Sequence, residues 1–515
     1  MRKRLVSLLF AGIMACSVIG SGVTTFAAEN DSHINLALFT YIEGMDPATD
    51  WCGWNLTRCG VGETLVTVNE NMEIVGQLAD EWEQVDDTTY RFHIRQGVKF
   101  SNGTELTPEI VKDSIQRSID NNSRGGDLKI ANIEVDGENV VFTTDGAYSA
   151  FVSQLTEPMT VIVDTTADTS NYDTMPICTG PYAVSEYVSE EKIELVANEN
   201  YWDGEVPLDK VTLKCVDDQT TRSMALQTGE IDIAYNLKTE NLVEFEGNDN
   251  YDIQELQSLR STYAFMNQNE DHALSDKALR QALLRGLDKE TYCNTLLEGG
   301  ATAGKAPVPP TLDFGFDDLK DENAYDPDGA KKILEEAGYK DVDGDGFVET
   351  PDGDPLVLDF VIYTSRAELG VYAQAAQASL KEIGINVNLN TVSYETLLDM
   401  RDSGQYDLLI WNVLVANTGD PENYLRENWY SSSSNNTAGY NNPDVDKLLD
   451  ELAQTFDEDA RKDLIIDIQQ DIMDDAATVF FGYETTYLFS NKKVTGVKMY
   501  PMDYYWLTKD ITLAE

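Results

Sequence analysis

Between Leu78 and Phe100 the apolar residues Tyr90, Phe92 and Ile94 alternate with Arg91, His93 and Arg95. That two-residue period predicts a half-buried strand. After the turn Ser101-Asn102-Gly103-Thr104 the period lengthens, with Ile110, Val111, Ser114, Ile115 and Ser118 recurring at helical spacing. Thr107 suits the cap of this helix, Pro108 its first position, and Glu109 a site where the macrodipole favours negative charge. Val135–Thr143 reads as two short strands around Asp136-Gly137. Further on, strands are predicted at Tyr182–Val188, Lys192–Ala197 and Val211–Cys215, and helices over Asp218–Leu226, Ser275–Leu297 and from Pro327 to Ala337. Ser275 and Asp288 are the expected caps of two helices in the second of these segments.

From Leu356 the order is strand, helix (Ala367–Ile383), strand (Ile385–Val392), helix (Tyr394–Asp402), strand (Tyr406–Trp411). This alternation predicts an α/β lobe with helices packed over a sheet. Two more helices follow at Asp444–Phe456 and from Asp459 to about Asp475, then two late strands, Val479–Phe481 and Tyr487–Phe489.

Composition changes the picture in one respect. The 515 residues carry 37 Lys and Arg against 91 Asp and Glu, a formal charge of −54. Such a field repels phosphate backbones and anionic surfaces, so no nucleic-acid partner is expected. Met1–Arg4 is basic, Leu5–Ile19 mostly apolar, and Thr25-Phe26-Ala27-Ala28 offers small residues for cleavage. This is an export signal over residues 1–28, placing the protein in the periplasm or at the cell surface. Cys16 offers the alternative of a lipid anchor, although the usual residues before it are missing. Five further cysteines, Cys52, Cys59, Cys178, Cys215 and Cys293, form no tight framework; Cys52 and Cys59 are near enough in sequence to pair.

One acidic loop has ligand-like spacing. Asp341, Asp343 and Asp345 occupy positions one, three and five, Gly346 position six, Glu349 position nine and Asp352 position twelve, as in loops that wrap calcium. A structural Ca2+ is the corresponding expectation, and a solvated Gly-Asp turn accounts for the same residues. No other cofactor is required. With no Gly-x-Ser-x-Gly, no His-Glu-x-x-His and three scattered histidines, a secreted hydrolase is a remote alternative, as is a sensor.

The segments VKFSNGTELTPEIVKDSI, CTGPYAV, NENYWDGEVP, TTRSMALQTGEIDI, DKALRQALLRGLDKE, AYDPDGAKKILEEAGY and NTGDPENY follow one another in order. Together they resemble the extracytoplasmic solute-binding proteins of ABC importers, family 5, which serve oligopeptides, dipeptides and nickel. The resemblance implies a two-lobed, type II periplasmic-binding-protein-like α/β fold with an inserted strand-rich domain. Lobe I is then expected at 29–64, 182–270 and 495–515, the insertion at 65–181 and lobe II at 271–494. It implies no enzyme but a receptor, expected as a monomer, that hands its solute to ABC permease subunits.

Peptide-binding relatives often carry an Asp three residues before the Asp-Pro of this motif; here that position is Asn417. Nickel-binding relatives place a Tyr just before Asp-Pro and a Trp further upstream, where this chain has Gly419 and Val415. An oligopeptide or similar small solute is therefore the first expectation and a nickel or other metal chelate the second. Candidate cleft residues are Trp54 and Arg58, which share a helix face, and Trp411, Asn417, Asp420 and Tyr424. Trp54, Trp411 and Tyr424 are expected to stack, Arg58 to pair with an anion, and Asn417 and Asp420 to recognise an amine or amide.

Overall fold

Two long antiparallel strands carry the molecule, Tyr251–Met266 and Thr478–Asn491, paired from Tyr251 opposite Asn491 to Phe265 opposite Thr478. The computed structural model describes residues 32–38, 44–363 and 366–514; the export signal and Cys16 lie outside them. On one side, Tyr251–Met266 pairs with Leu408–Leu414, which is followed by the parallel strands Val357–Tyr363 and Asn386–Val392. On the other, Thr478–Asn491 pairs with Ile233–Leu237, followed by His33–Leu38, Lys210–Cys215, Lys192–Ala197 and Tyr182–Val188.

The lobes therefore share one eleven-stranded sheet. The expected boundaries after residues 270 and 494 need correcting for this. The Arg260–Met266 half of the first long strand pairs inside lobe II, and the Tyr487–Ser490 end of the second pairs inside lobe I. The chain crosses between lobes within its strands.

The two late strands expected at 479–481 and 487–489 are likewise one strand. Its polar middle, Tyr483 to Thr486, stays in the sheet because Glu484 finds Arg260 and Arg366 inside the protein. Tyr251–Met266 left no apolar signature because its first half is polar and partly exposed.

Residues 65–181 contain a separate four-stranded antiparallel sheet, Ala79–Asp86, Thr89–Ile94, Asn139–Thr144 and Ile130–Asp136. The helix Pro108–Asn121 packs its Ile110, Val111, Ser114, Ile115 and Ser118 face inward, and Thr107 Oγ1 accepts from the Ile110 amide. Phe92, Phe142 and Phe151 meet edge-on or tilted in the core beneath it. Of the two expected caps, Asp288 accepts from the Thr291 amide, whereas Asp276 rather than Ser275 caps the helix Lys277–Arg285. The Cys52–Cys59 pairing is not formed: Cys59 is a buried free thiol, and the two residues flank opposite ends of the helix Gly53–Arg58. Seven residues of helical rise separate them by about 10 Å, beyond disulfide reach.

The Cys178-Thr179-Gly180-Pro181 corner backs onto residues 60–63. Gly180 donates to the Val61 carbonyl at 3.0 Å, and a Cβ there would lie 2.5 Å from two backbone oxygens. Beside it, buried Glu63 accepts from Thr179 (2.7 Å), Trp202 (2.9 Å) and Tyr201 (3.3 Å). Burial outweighs these hydrogen bonds and pushes the Glu63 carboxyl from 4.5 up to about 7. The folded protein thus holds a proton here that the unfolded chain releases. The resulting stabilisation is complete below pH 4.5 and lost as the pH rises through about 7. Glu63→Gln is expected to flatten the fall in urea stability between pH 5 and 8 by on the order of 3 kcal/mol; parallel wild-type and variant profiles would show that Glu63 is not its source.

Candidate functional site

The strand Leu408–Leu414 ends in a tight loop built for close approach. Ala416 adopts φ +50° and Gly419 φ +84°, and the Gly419 amide donates to the Ala416 carbonyl at 2.9 Å. A Cβ on Gly419 would sit 2.9 Å from the Met72 carbonyl of the inserted domain. Only glycine meets both demands without strain, which explains why no tyrosine precedes Asp420-Pro421.

The loop delivers Asn417 into a cavity of about 400 Å³, lined from lobe I by Trp54, from the inserted domain by Arg124, Asp127 and Glu157, and from lobe II by Trp411 and Tyr424, among others. Asn417 Nδ2 donates to Glu157 Oε1 at 2.6 Å and to the Tyr504 hydroxyl. Glu157 is 4% exposed, and its Oε2 has no hydrogen-bond partner among the described residues, the Arg124 guanidinium standing 3.5 Å away. That guanidinium lies 3.6 Å over the Trp51 ring and 3.5 Å from Asp127. Trp51, Trp54 and Tyr504 continue the aromatic wall with centroid separations of 5.2 and 5.0 Å.

Opposite them, Trp411 is covered by Arg401 at 5.1 Å, itself paired with Asp402 at 2.8 Å, and Tyr424 packs edge-on against Tyr263. Glu427 stands exposed at the rim, where desolvation by the surrounding walls and then the charge of Asp127 raise its carboxyl against the pull of Arg124.

Five of the six expected cleft residues line this cavity; Arg58 does not. It is 3% exposed, 3.1 Å from Asp503, donates through Nε to the Asp503 carbonyl, and sits between the Trp54 and Trp506 rings at 5.0 and 4.4 Å. Trp54 and Arg58 do share a helix face, but the second turn points into the protein. Its charge is neutralised there, so the anion-pairing role expected of Arg58 is withdrawn. Asp420 lines the cavity yet is engaged as well, holding Arg461 at 2.6 Å and the Glu422 amide at 2.9 Å. It anchors the helix Glu422–Trp429, with Pro421 one position before the helix rather than in its first turn. Glu157, Arg124 and Tyr504 had no mark in the sequence; they come from turns and a C-terminal loop without periodicity.

The acidic loop only partly assembles. Asp341, Asp343 and Asp345 present oxygens within 4.8 Å of one another at the surface. Glu349 is turned to the Val342 amide at 2.7 Å by bridges to Lys340 and Pro355, and Asp352 stays on a separate turn outside the cluster. Asp341 itself accepts from the Gly344 and Gly346 amides, as a solvated turn would. A second cavity, about 200 Å³, lies against the crossing strands near Lys238 and Glu368 and contains none of the expected residues.

Two lobes on one shared sheet, with an aromatic and charged chamber between them, define a solute-binding receptor. Residues 73–436 match the family described as bacterial extracellular solute-binding proteins, family 5, middle. The chain belongs to that family, the receptors of ABC importers. It is 25% identical to the nickel-binding protein NikA of Staphylococcus aureus over 513 residues, 99% of each chain. It is 24% identical to di/tripeptide-binding protein 2 of Pseudomonas aeruginosa, over 89% of this chain and 91% of that one. The crystal structure of a nickel ABC transporter protein from Bacillus halodurans superposes with a TM-score of 0.78 at 30% identity, covering 93% and 99% of the two chains. No helix among the described residues is long and apolar enough to cross a membrane.

Arg58→Met strands the buried Asp503 carboxylate beside fewer cations and is expected to cost about 3 kcal/mol in urea unfolding. Solute specificity should be retained. An unchanged midpoint together with lost binding would return Arg58 to the ligand site.

Proposed function

We propose that the receptor captures a small organic solute bearing an ammonium group, a short oligopeptide first of all, and passes it to the permease. The observation that carries this is the buried Glu157 oxygen without a hydrogen-bond donor inside an aromatic chamber. A buried carboxylate oxygen left so is costly, and an ammonium ligand relieves it with a charge-assisted bond. Asn417 lacks the charge of the aspartate in peptide-binding relatives, but it touches Glu157 directly and lets that residue supply it.

The wall as a whole agrees in sign, with Asp127, Glu157, Asp420 and Glu427 against Arg124 and Arg401. In this reading Trp54, Trp411 and Tyr424 contact the apolar parts of the solute, Asn417 and Glu157 hold its amine, and Asp420 fixes the loop. A chelated metal is the second reading, favoured by the likeness to nickel-binding relatives. The lining has neither His nor Cys, so a metal would enter inside an organic chelate that brings its own donors.

Calorimetry with random-sequence synthetic tetrapeptides tests this. Glu157→Gln is expected to weaken binding of free-amine peptides by about tenfold or more while leaving N-acetylated peptides unaffected. Equal affinity of wild type and variant for free-amine peptides, or binding of a nickel–histidine complex in preference to any peptide, would overturn the reading.

A further inference from the structure

A further cavity adjoins the inner chamber. A cavity of about 350 Å³ shares Asp127, Asn423 and Glu427 with the first and continues past Lys129, Arg426 and the hydroxyl-rich run Ser432 to Ser434. Each volume is within the range of a single-ligand pocket, and the three shared residues stand where the two meet, the neck of the path proposed here. Resting on the ammonium reading above, the geometry points to Lys129 as the anchor for the terminal carboxylate of a linear, zwitterionic peptide that threads both chambers.

Lys129 closes the short helical turn Gly125–Leu128 in the left-handed conformation, at φ +51° and ψ 32°. A lysine gains nothing locally from that backbone, which costs about 1–2 kcal/mol relative to an ordinary one. Two backbone bonds hold it there: its amide donates to the Gly126 carbonyl and its carbonyl accepts from the Asp145 amide. The side chain is half-buried, with its ammonium 4.0 Å from the centre of the Tyr148 ring. Among the described residues it has no carboxylate at ion-pair distance.

The other vestibule cation is spent: Arg426 holds Asp450 at 3.1 Å and stacks on Tyr430 at 4.7 Å. Tyr148 also donates to Asn423 Oδ1 at 2.9 Å, so the ring under Lys129 positions a neck residue as well. Burial, with a contribution from Arg426, lowers the Lys129 ammonium below its ordinary range, while Glu422, Glu427 and Asp127 act the other way. A ligand carboxylate would relieve that desolvation.

The two ends thus differ in sign: a carboxylate with one oxygen, Oε2, short of a hydrogen-bond partner at Glu157 inside, and an ammonium without a carboxylate at Lys129 outside. A chain with its amine inward and its carboxylate outward matches this polarity. The acidic neck accepts backbone N–H groups and disfavours a carboxylate that stops short.

The test uses the mature full-length protein with random-sequence synthetic tetrapeptide pools, as free acids and as C-terminal amides, by calorimetry. Amidation is expected to weaken wild-type binding by about tenfold or more. In Lys129→Met that difference should vanish while the penalty for N-acetylation persists, and Lys129→Arg should restore it. An amidation penalty of the same size in wild type and Lys129→Met, or none in wild type, overturns the assignment while leaving the ammonium reading in place. Failure of every peptide pool to bind overturns both, and the two failures are thereby distinguished.

Discussion

Asp503 is the charge on which the rest of the structure leans. Arg58 at 3.1 Å and Arg260 at 3.5 Å converge on it, from the helix Gly53–Arg58 and from the crossing strand Tyr251–Met266. Burial pushes this carboxyl up, but Arg58, Arg260 and Arg366 together outweigh it and hold it below its ordinary value. The chain of charges runs on through Glu484, Arg366 and Glu368 to Lys238 in lobe I. A buried network of this kind is stabilising only while every member is paired. It pins the C-terminal segment across both long strands, and that segment brings Trp506 over Arg58 and Tyr504 onto Asn417.

The chamber follows from that pinning. Its walls come from three parts of the chain that meet only once the sheet is continuous. The inserted domain is locked to lobe II by its own contacts: the Ser149 amide donates to the Ala453 carbonyl at 3.0 Å and the Ser149 hydroxyl to Leu452 at 2.9 Å. Arg461 joins Ser149 to Asp420 and Glu422, so the contact between domains and the start of the site helix share one guanidinium. Residues that line the chamber and residues that join the inserted domain to lobe II are neighbours, the arrangement expected when filling the chamber and closing it stabilise the same state.

Local structure was readable wherever a short segment carries its own reason. Thr107-Pro108-Glu109 spells out a helix start, and the inward face of that helix is written at helical spacing. The α/β order after Leu356 is legible for the same reason. The long strand Tyr251–Met266 was not, because its first half mixes half-buried apolar residues with the polar Asp252, Gln254, Glu255 and Gln257; nor was the continuity of Thr478–Asn491, whose polar middle is satisfied by arginines far away in sequence. Of the residues that line the chamber, Trp54 is legible from helix spacing and Asn417 from its place before Asp420-Pro421. Arg58 was misassigned because helical spacing says which face a side chain shares, not what that face meets. Glu157 lies 260 residues from Asn417, in a turn with no period to mark it.

The central claim concerns one atom, the buried Glu157 oxygen that lacks a donor. A crystal structure of the protein with a peptide selected from a random pool examines it directly. The expected result is a ligand ammonium nitrogen within hydrogen-bond distance of the Glu157 carboxylate, beside Asn417 and under Trp54. A ligand carboxylate or a metal chelate in that place, or a peptide seated elsewhere, would contradict it.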